Sequence, residues 1–134
     1  MAPLVYGRGT GYFKKGSQQI PLMIGNTIKA GRSEYITPGT ATVGHVHVTD
    51  LASLFETVLA RSLSDPSLPA GKNGFFFANT GKHTWGEVAK AIAKAGHTLG
   101  KLKWDEAVGI DLPDAATKFW GGDQRHTEYI LASS

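Results

Sequence analysis

Gly44-His45-Val46-His47-Val48-Thr49-Asp50-Leu51-Ala52 narrows the folds open to this chain more than any other stretch, because it reads as a short strand running straight into a helix. Val46 and Val48 alternate with His45 and His47, the period-two pattern of a half-buried strand, which puts both imidazoles on one face. Thr49 or Asp50 is expected to accept hydrogen bonds from the unpaired N–H groups of the first helical turn. Leu51, Leu54, Phe55, Val58 and Leu59 then follow at helical spacing as an apolar stripe. A junction of this kind, with polar side chains at its tip, is where α/β proteins place much of their chemistry.

The neighbouring segments extend the same alternation of strand and helix. Leu4-Val5-Tyr6 is a short strand, and Ser17 to about Ala30 a helix with Ile20, Met23, Ile24, Thr27 and Ile28 on one face. Pro21 suits the first turn of that helix, where a missing N–H matters little, and Gly31 stops it. Tyr35-Ile36-Thr37 reads as a brief strand before the Pro38-Gly39 turn, and the helix after Asp50 ends near Ser64. Ser64 to Asn73 is a surface loop, and Phe75-Phe76-Phe77-Ala78, bounded by Gly74 and Asn79, a buried strand. Thr84-Trp85-Gly86-Glu87 is a capping box opening a helix with Val88, Ala91, Ile92 and Ala95 inward and Gly96 as its stop. Asp105 to Asp111 reads as a turn of helix, Pro113 to Trp120 as another, Gly121-Gly122 as a break, and His126–Leu131 as a last segment. The expected class is α/β, an α+β-like small lobe of a few short strands with three or more helices, forming one domain over residues 1–134.

Composition removes several functions. There is no cysteine, which excludes disulfides, zinc–thiolate sites and thiol catalysis. No apolar run approaches the roughly 20 residues needed to span a bilayer, and the N-terminus lacks the apolar core of a signal peptide, so a cytoplasmic protein without membrane contact is expected. The net charge of +3 comes from dispersed lysines such as Lys14, Lys15, Lys101 and Lys103 without a nucleic-acid-binding signature, so no nucleic acid is expected as partner.

The candidate chemistry is sparse. Gly7-x-Gly9-x-Gly11 has its third glycine one place too early for a dinucleotide fingerprint, and Phe13-Lys14-Lys15-Gly16 is a poor helix start, so a loop needing positive φ angles is expected. His45 and His47 stand about 7 Å apart along one face, at about 3.3 Å per residue, a spacing that two ligands of one metal can adopt with Asp50 adding a carboxylate. His83, His97 and His126 are scattered and give no third ligand, so no metal is expected and the two histidines should hydrogen-bond to neighbouring backbone. Ser17 lacks a histidine neighbour and reads as a helix cap. The aromatics Tyr6, Tyr12, Tyr35, Trp85 and Trp104 can line a ligand pocket or fill a core.

In this order, Pro3-Leu4-Val5-Tyr6-Gly7-Arg8-Gly9, Ser17-Gln18-Gln19-Ile20-Pro21, Val46-His47-Val48-Thr49-Asp50-Leu51-Ala52, Gly74-Phe75-Phe76-Phe77-Ala78-Asn79 and Thr84-Trp85-Gly86-Glu87 resemble the C-terminal, substrate-binding part of extended short-chain dehydrogenase/reductases, the NAD-dependent epimerase/dehydratase family, most of all fungal members of its atypical branch. The resemblance implies a preceding Rossmann half that holds NAD(P) and a Tyr-x-x-x-Lys pair, with the lysine lowering the pKa of the proton-transferring tyrosine. Neither is in this sequence: Tyr6, Tyr12, Tyr35 and Tyr129 are followed four places on by Thr10, Gly16, Gly39 and Ser133. It further implies that the Pro3–Tyr6 segment lies beside the nicotinamide, making Pro3 a cofactor contact only if a Rossmann half is joined. The Ser17–Pro21 helix start and the loop before His45 would border the substrate. Val43 and His45 stand where the family often has a Trp and an Asn, a departure that bears on the substrate. The tail resembles the start of a longer family segment, so a chain clipped at both ends is expected.

Three functions follow. The first is a small-molecule-binding lobe of an NAD(P)-dependent oxidoreductase without a cofactor site of its own, its substrate bordered by Tyr6, Ser17, Gln19, Tyr35, His45 and Trp85. The second is a free-standing cofactor-independent isomerase, cyclase or lyase using Tyr6, His45, His47 or Asp50 for proton transfer. The third is a non-catalytic ligand-binding module that dimerises. A lobe without its Rossmann half should expose an apolar face, so a homo-oligomer is expected.

Overall fold

The computed structural model describes residues 3–13 and 15–120, so the Gly121-Gly122 break, His126 and the His126–Leu131 segment lie outside the described residues. It is a small α/β fold of five short strands and four helices among those residues. They run β1 (Leu4–Tyr6), α1 (Gln19–Ala30), β2 (Ser33–Ile36), β3 (Thr42–His47), α2 (Val48–Ser64), β4 (Gly81–Thr84), α3 (Trp85–Thr98), β5 (Ala107–Ile110) and α4 (Leu112–Trp120). Packing divides them into two compact units. The first holds the described residues up to Ser17 together with Gly44–Lys82; the second holds Gln18–Val43 and the described residues from His83 onward.

In the first unit β1 lies parallel to β3, with Leu4 opposite His45, Val5 opposite Val46 and Tyr6 opposite His47. β4 takes the other side of β3 in a three-stranded sheet of order β1-β3-β4. Leu4, Val46 and Ala78 form the buried centre, Val46 with 2% of its surface exposed. Full burial of a side chain of this size contributes about 1.5–3 kcal/mol. α2 packs on this sheet through contacts to β1, yet none of its residues is fully buried. Leu51, Leu54 and Val58 are half-buried, while Phe55 is 69% exposed and Leu59 and Leu63 also face outward. α2 ends as expected before Pro66, where the Asp65 N–H donates to the Arg61 carbonyl at 2.8 Å.

The expected strand over Phe75–Ala78 does not form. The segment is extended but lies outside both sheets, with Ala78 buried, Phe76 half-buried, and Phe75 and Phe77 at 66% and 73% exposure. An extended chain sends alternate side chains to opposite faces, so three consecutive phenylalanines cannot share one inner face. The strand beside β3 is Gly81–Thr84, which carries no apolar run to announce it.

In the second unit β2 and β5 pair in parallel, Ser33 opposite Ala107 and Ile36 opposite Ile110, and the Thr37 N–H extends the ladder to the Ile110 carbonyl at 2.9 Å. The turn of helix expected over Asp105–Asp111 is therefore a strand. Its side chains give no period-two pattern of burial, since Ile110 is buried while Val108 is 41% exposed. Asp111 then starts α4, its carboxylate accepting the Asp114 N–H at 3.0 Å. α1 and α3 both pack against β2. On α1 the inward residues are Ile20, Met23 and Thr27, whereas Ile24 and Ile28 face out, and Gly31 ends the helix in the left-handed region. The residue before α1 is Gln18, with no side-chain cap, so the capping role expected of Ser17 is not taken up.

α3 packs through its smallest residues. Gly86, Ala89 and Ala93 are buried, the two alanines completely, while the expected inward Ala91 and Ala95 face out and Val88 and Ile92 are half-buried. The small face brings the α3 backbone close enough for the buried Ser33 hydroxyl to donate to the Ala89 carbonyl at 2.8 Å. Gly96 does not stop the helix, which runs on to Thr98; Gly100, at φ 65°, makes the reversal. Gly96 serves packing instead, because Leu102 folds back over it and a Cβ there would lie 2.6 Å from a Leu102 methyl. From α4, Lys118 reaches Glu34 of β2 at 2.8 Å, and Arg32 meets the same carboxylate at 2.7 Å.

Candidate functional site

The candidates gather where β3 becomes α2. Register places Tyr6 directly opposite His47 and two residues from the partner of His45, so all three side chains share one face of the parallel pair. The Tyr6 ring stands edge-on to both imidazoles, with centroids 5.6 Å from His45 and 5.2 Å from His47. This brings a phenol and two imidazoles, groups that can donate and accept hydrogen bonds, onto one face.

Each histidine is held by backbone. The His47 Nδ1 accepts the Thr49 N–H at 3.2 Å, making His47 itself the cap of α2 in place of the expected Thr49 or Asp50. With Nδ1 occupied as acceptor, the neutral ring carries its proton on Nε2. Gly7 closes the other side of that ring. Its φ of 98° is one that residues with a side chain rarely adopt, and a Cβ there would collide with the imidazole. At His45 the backbone N–H donates to the Asn79 side-chain oxygen at 3.1 Å, and its carbonyl accepts both the Thr80 N–H at 2.9 Å and the Thr80 hydroxyl at 3.1 Å. Gly81 leaves room for the His45 ring, since a Cβ would approach Nε2 to 2.7 Å. Asn79, Gly81 and Gly7 were not singled out from the sequence as site residues. The signal was there only as the turn-forming run Asn79-Thr80-Gly81 and the glycine after Tyr6.

Asp50 is exposed in the first turn of α2. Pro3 and Ser17 are half-buried in the first unit, Pro3 beside Gly44. Gln19, exposed, begins α1; Tyr35, half-buried on β2, lies against Gly39 and Gly109; Trp85 begins α3 with its ring edge-on to His83 at 5.8 Å. These three belong to the second unit. In the glycine loop after Tyr6 the positive φ falls at Gly7 and not at Gly9 or Gly11, and among the described residues the first helix starts at Gln19.

A separate apolar groove of about 230 Å³ lies between α2 and the extended Gly74–Ala78 segment, lined by Leu51, Leu54, Phe55, Val58, Phe76 and Ala78. That is below the roughly 300–1,000 Å³ of a site for a drug-sized ligand, enough for one ring or a short alkyl chain. Among the described residues no helix is long and apolar enough to cross a membrane.

No protein-family model matches the chain. Oxidase ucsJ of Acremonium sp is 25% identical to it over 134 residues, an alignment that takes in 90% of this chain. The chain spans 38% of the length of that relative.

Proposed function

We propose that this chain supplies the small-molecule-binding part of an oxidoreductase of the NAD(P)-dependent epimerase/dehydratase type. The observation that carries the reading is the likeness to a protein named an oxidase, which extends along 90% of the chain and so takes in most of the segments on which the family resemblance rests. The Tyr-x-x-x-Lys pair is absent from the sequence, and the glycine loop does not fit a dinucleotide phosphate. In this reading the redox step belongs to another region of the whole enzyme, and this chain binds and orients the substrate. Tyr6, His45 and His47 offer it hydrogen-bonding groups on one rigid sheet face.

Two measurements on the isolated chain test this. Calorimetric titration with NADH and NADPH is expected to give no saturable binding, and micromolar affinity for either would overturn the assignment. Thermal shift with small apolar ketones and alcohols is expected to raise the melting temperature for some members, since a ligand at about 100 times its Kd stabilises by about 2.7 kcal/mol. A flat response across such a set also counts against the reading.

The Tyr6–His45–His47 grouping itself favours a second reading, a cofactor-independent isomerase, cyclase or lyase that shuttles a proton between phenol and imidazole. It requires turnover by the chain alone, lost in Tyr6→Phe and in His45→Ala or His47→Ala. Turnover unchanged in all three removes the cluster from the mechanism.

A further inference from the structure

We infer that His47 is a pH-sensitive cap on α2, which ties the order of the first turn of that helix to the protonation of the imidazole. Three observations fix the ring in its role. Its Nδ1 accepts the Thr49 N–H at 3.2 Å, one of the orphan donors that every helix start must satisfy. Tyr6 stands edge-on to the ring at 5.2 Å, and Gly7 sits so close that no side chain fits between it and the imidazole.

Among acceptors used at helix starts, an imidazole is unusual in that its accepting atom vanishes within the ordinary range of pH. Serine, threonine and asparagine side chains keep their oxygen at any pH at which a protein folds, and aspartate keeps it above the carboxylate range. A neutral imidazole has one acceptor nitrogen. The cation has two donors and none, and imidazoles cross between the forms from about pH 8 to 5. In the cation, Nδ1–H points at the Thr49 N–H, and the positive ring stands at the positive end of the helix dipole. The cap exists only in the neutral form. Its contribution is therefore complete above the titration range and is lost as pH falls through it.

Tyr6 from β1 stands edge-on to this ring and also to His45, two places back on β3, and Asp50 lies in the first turn of α2. Loosening the first turn of α2 releases the same ring that faces Tyr6, so the device bears directly on the phenol–imidazole cluster.

The experiment compares thermal midpoints of the chain and of His47→Asn between about pH 8 and 5.5. Asparagine is a strong cap that does not titrate. The unaltered chain is expected to lose about 3–6 °C more than the variant over that interval, the usual consequence of losing one cap in a domain of this size. Parallel loss in the two proteins overturns the inference. Because the substitution also disturbs the contacts with Tyr6 and Gly7, a second reading is taken on the unaltered chain by NMR. The Thr49 amide is expected to shift, and to lose exchange protection, through the same pH interval in which the His47 ring resonances titrate. A ring that stays neutral at about pH 5.5, or a Thr49 amide that stays fixed while the ring titrates, overturns it.

Discussion

At the start of α3 the Thr84 hydroxyl accepts the Glu87 N–H at 3.1 Å while the Glu87 carboxylate accepts the Thr84 N–H at 2.7 Å. At the start of α2 one nitrogen of His47 accepts the Thr49 N–H, and the ring lies against Tyr6 and Gly7. Both are strand-to-helix junctions. The first is complete within four residues and places a carboxylate at the positive end of the helix. The second depends on neighbours 40 residues away in sequence and on a neutral ring. Packing follows the same division: α3 buries Gly86, Ala89 and Ala93, whereas α2 buries no residue completely. One helix is fixed by full burial of its small face and by its local chemistry together, the other by half-buried contacts and a cap that depends on residues distant in sequence.

The largest effect should come from disturbing the tightly packed helix. Ala93 is fully buried on the small face of α3, and Ala93→Leu forces in three extra carbons, for a loss of about 2–3 kcal/mol. Leu59→Ala removes a similar volume from the outward face of α2 and should change stability by no more than about 0.5 kcal/mol. Urea unfolding of both variants is the check. Comparable losses would mean that α2 is as firmly packed as α3, and the comparison fails.

How much of this was legible in the sequence depended on how local each cause is. Thr84 and Glu87 carry their meaning three residues apart, so the capping box was readable directly. The β3–α2 junction was readable as strand and helix, and the expectation that its histidines bond to nearby backbone holds for His47 through Thr49. That His47 rather than Thr49 or Asp50 caps the helix was not readable, because it depends on where the imidazole lies once β1 and its following glycine pack beside it. Gly96 carried the pattern of a stop, but Leu102 folding over it decided otherwise. The Phe75–Phe77 run and the Asp105–Asp111 stretch misled for related reasons. One carries apolar content and the other polar borders, while pairing is decided by which segment finds a strand beside it.

A smaller effect probes the charges around α3's neighbour β2. Glu34, with only 3% of its side chain exposed, accepts from Lys118 and Arg32. Burial pushes its carboxyl upward, but hydrogen bonds and attraction from Lys118 and then Arg32 outweigh this and hold it below the ordinary value of 4.5. A lowered carboxyl favours the folded state while ionised, so its contribution is complete above 4.5 and fades as pH falls through the lower folded value. Glu34→Gln should therefore lower stability by about 1.5–2 kcal/mol at neutral pH, and the gap to the unaltered chain should close on acidification. A gap that persists undiminished to about pH 3 would show that the lost interaction is one of shape rather than charge. The direction is the same as that inferred for His47, since both favour the folded state in their deprotonated form, but the two act in separate windows, one in the carboxylate range and one in the imidazole range.

Thr84→Ala gives the smallest effect and sharpens the comparison of the two caps most directly. It deletes the hydroxyl that accepts the Glu87 N–H but leaves the Thr84 backbone N–H that donates to the Glu87 carboxylate. Loss of the hydroxyl should lower stability by about 1 kcal/mol, equally at every pH from about 6 to 8, because nothing in that bond titrates there. Glu87 is held below its ordinary value first by the Thr84 backbone N–H and second by the hydroxyl. An NMR titration should therefore find the carboxyl of the variant rising only part of the way. A full return to the ordinary value would show that the backbone bond opens once the hydroxyl is gone, making the two halves of the box one cooperative unit. The α3 cap would then resemble that of α2 in hanging on a single acceptor, with the difference that this acceptor is indifferent to pH.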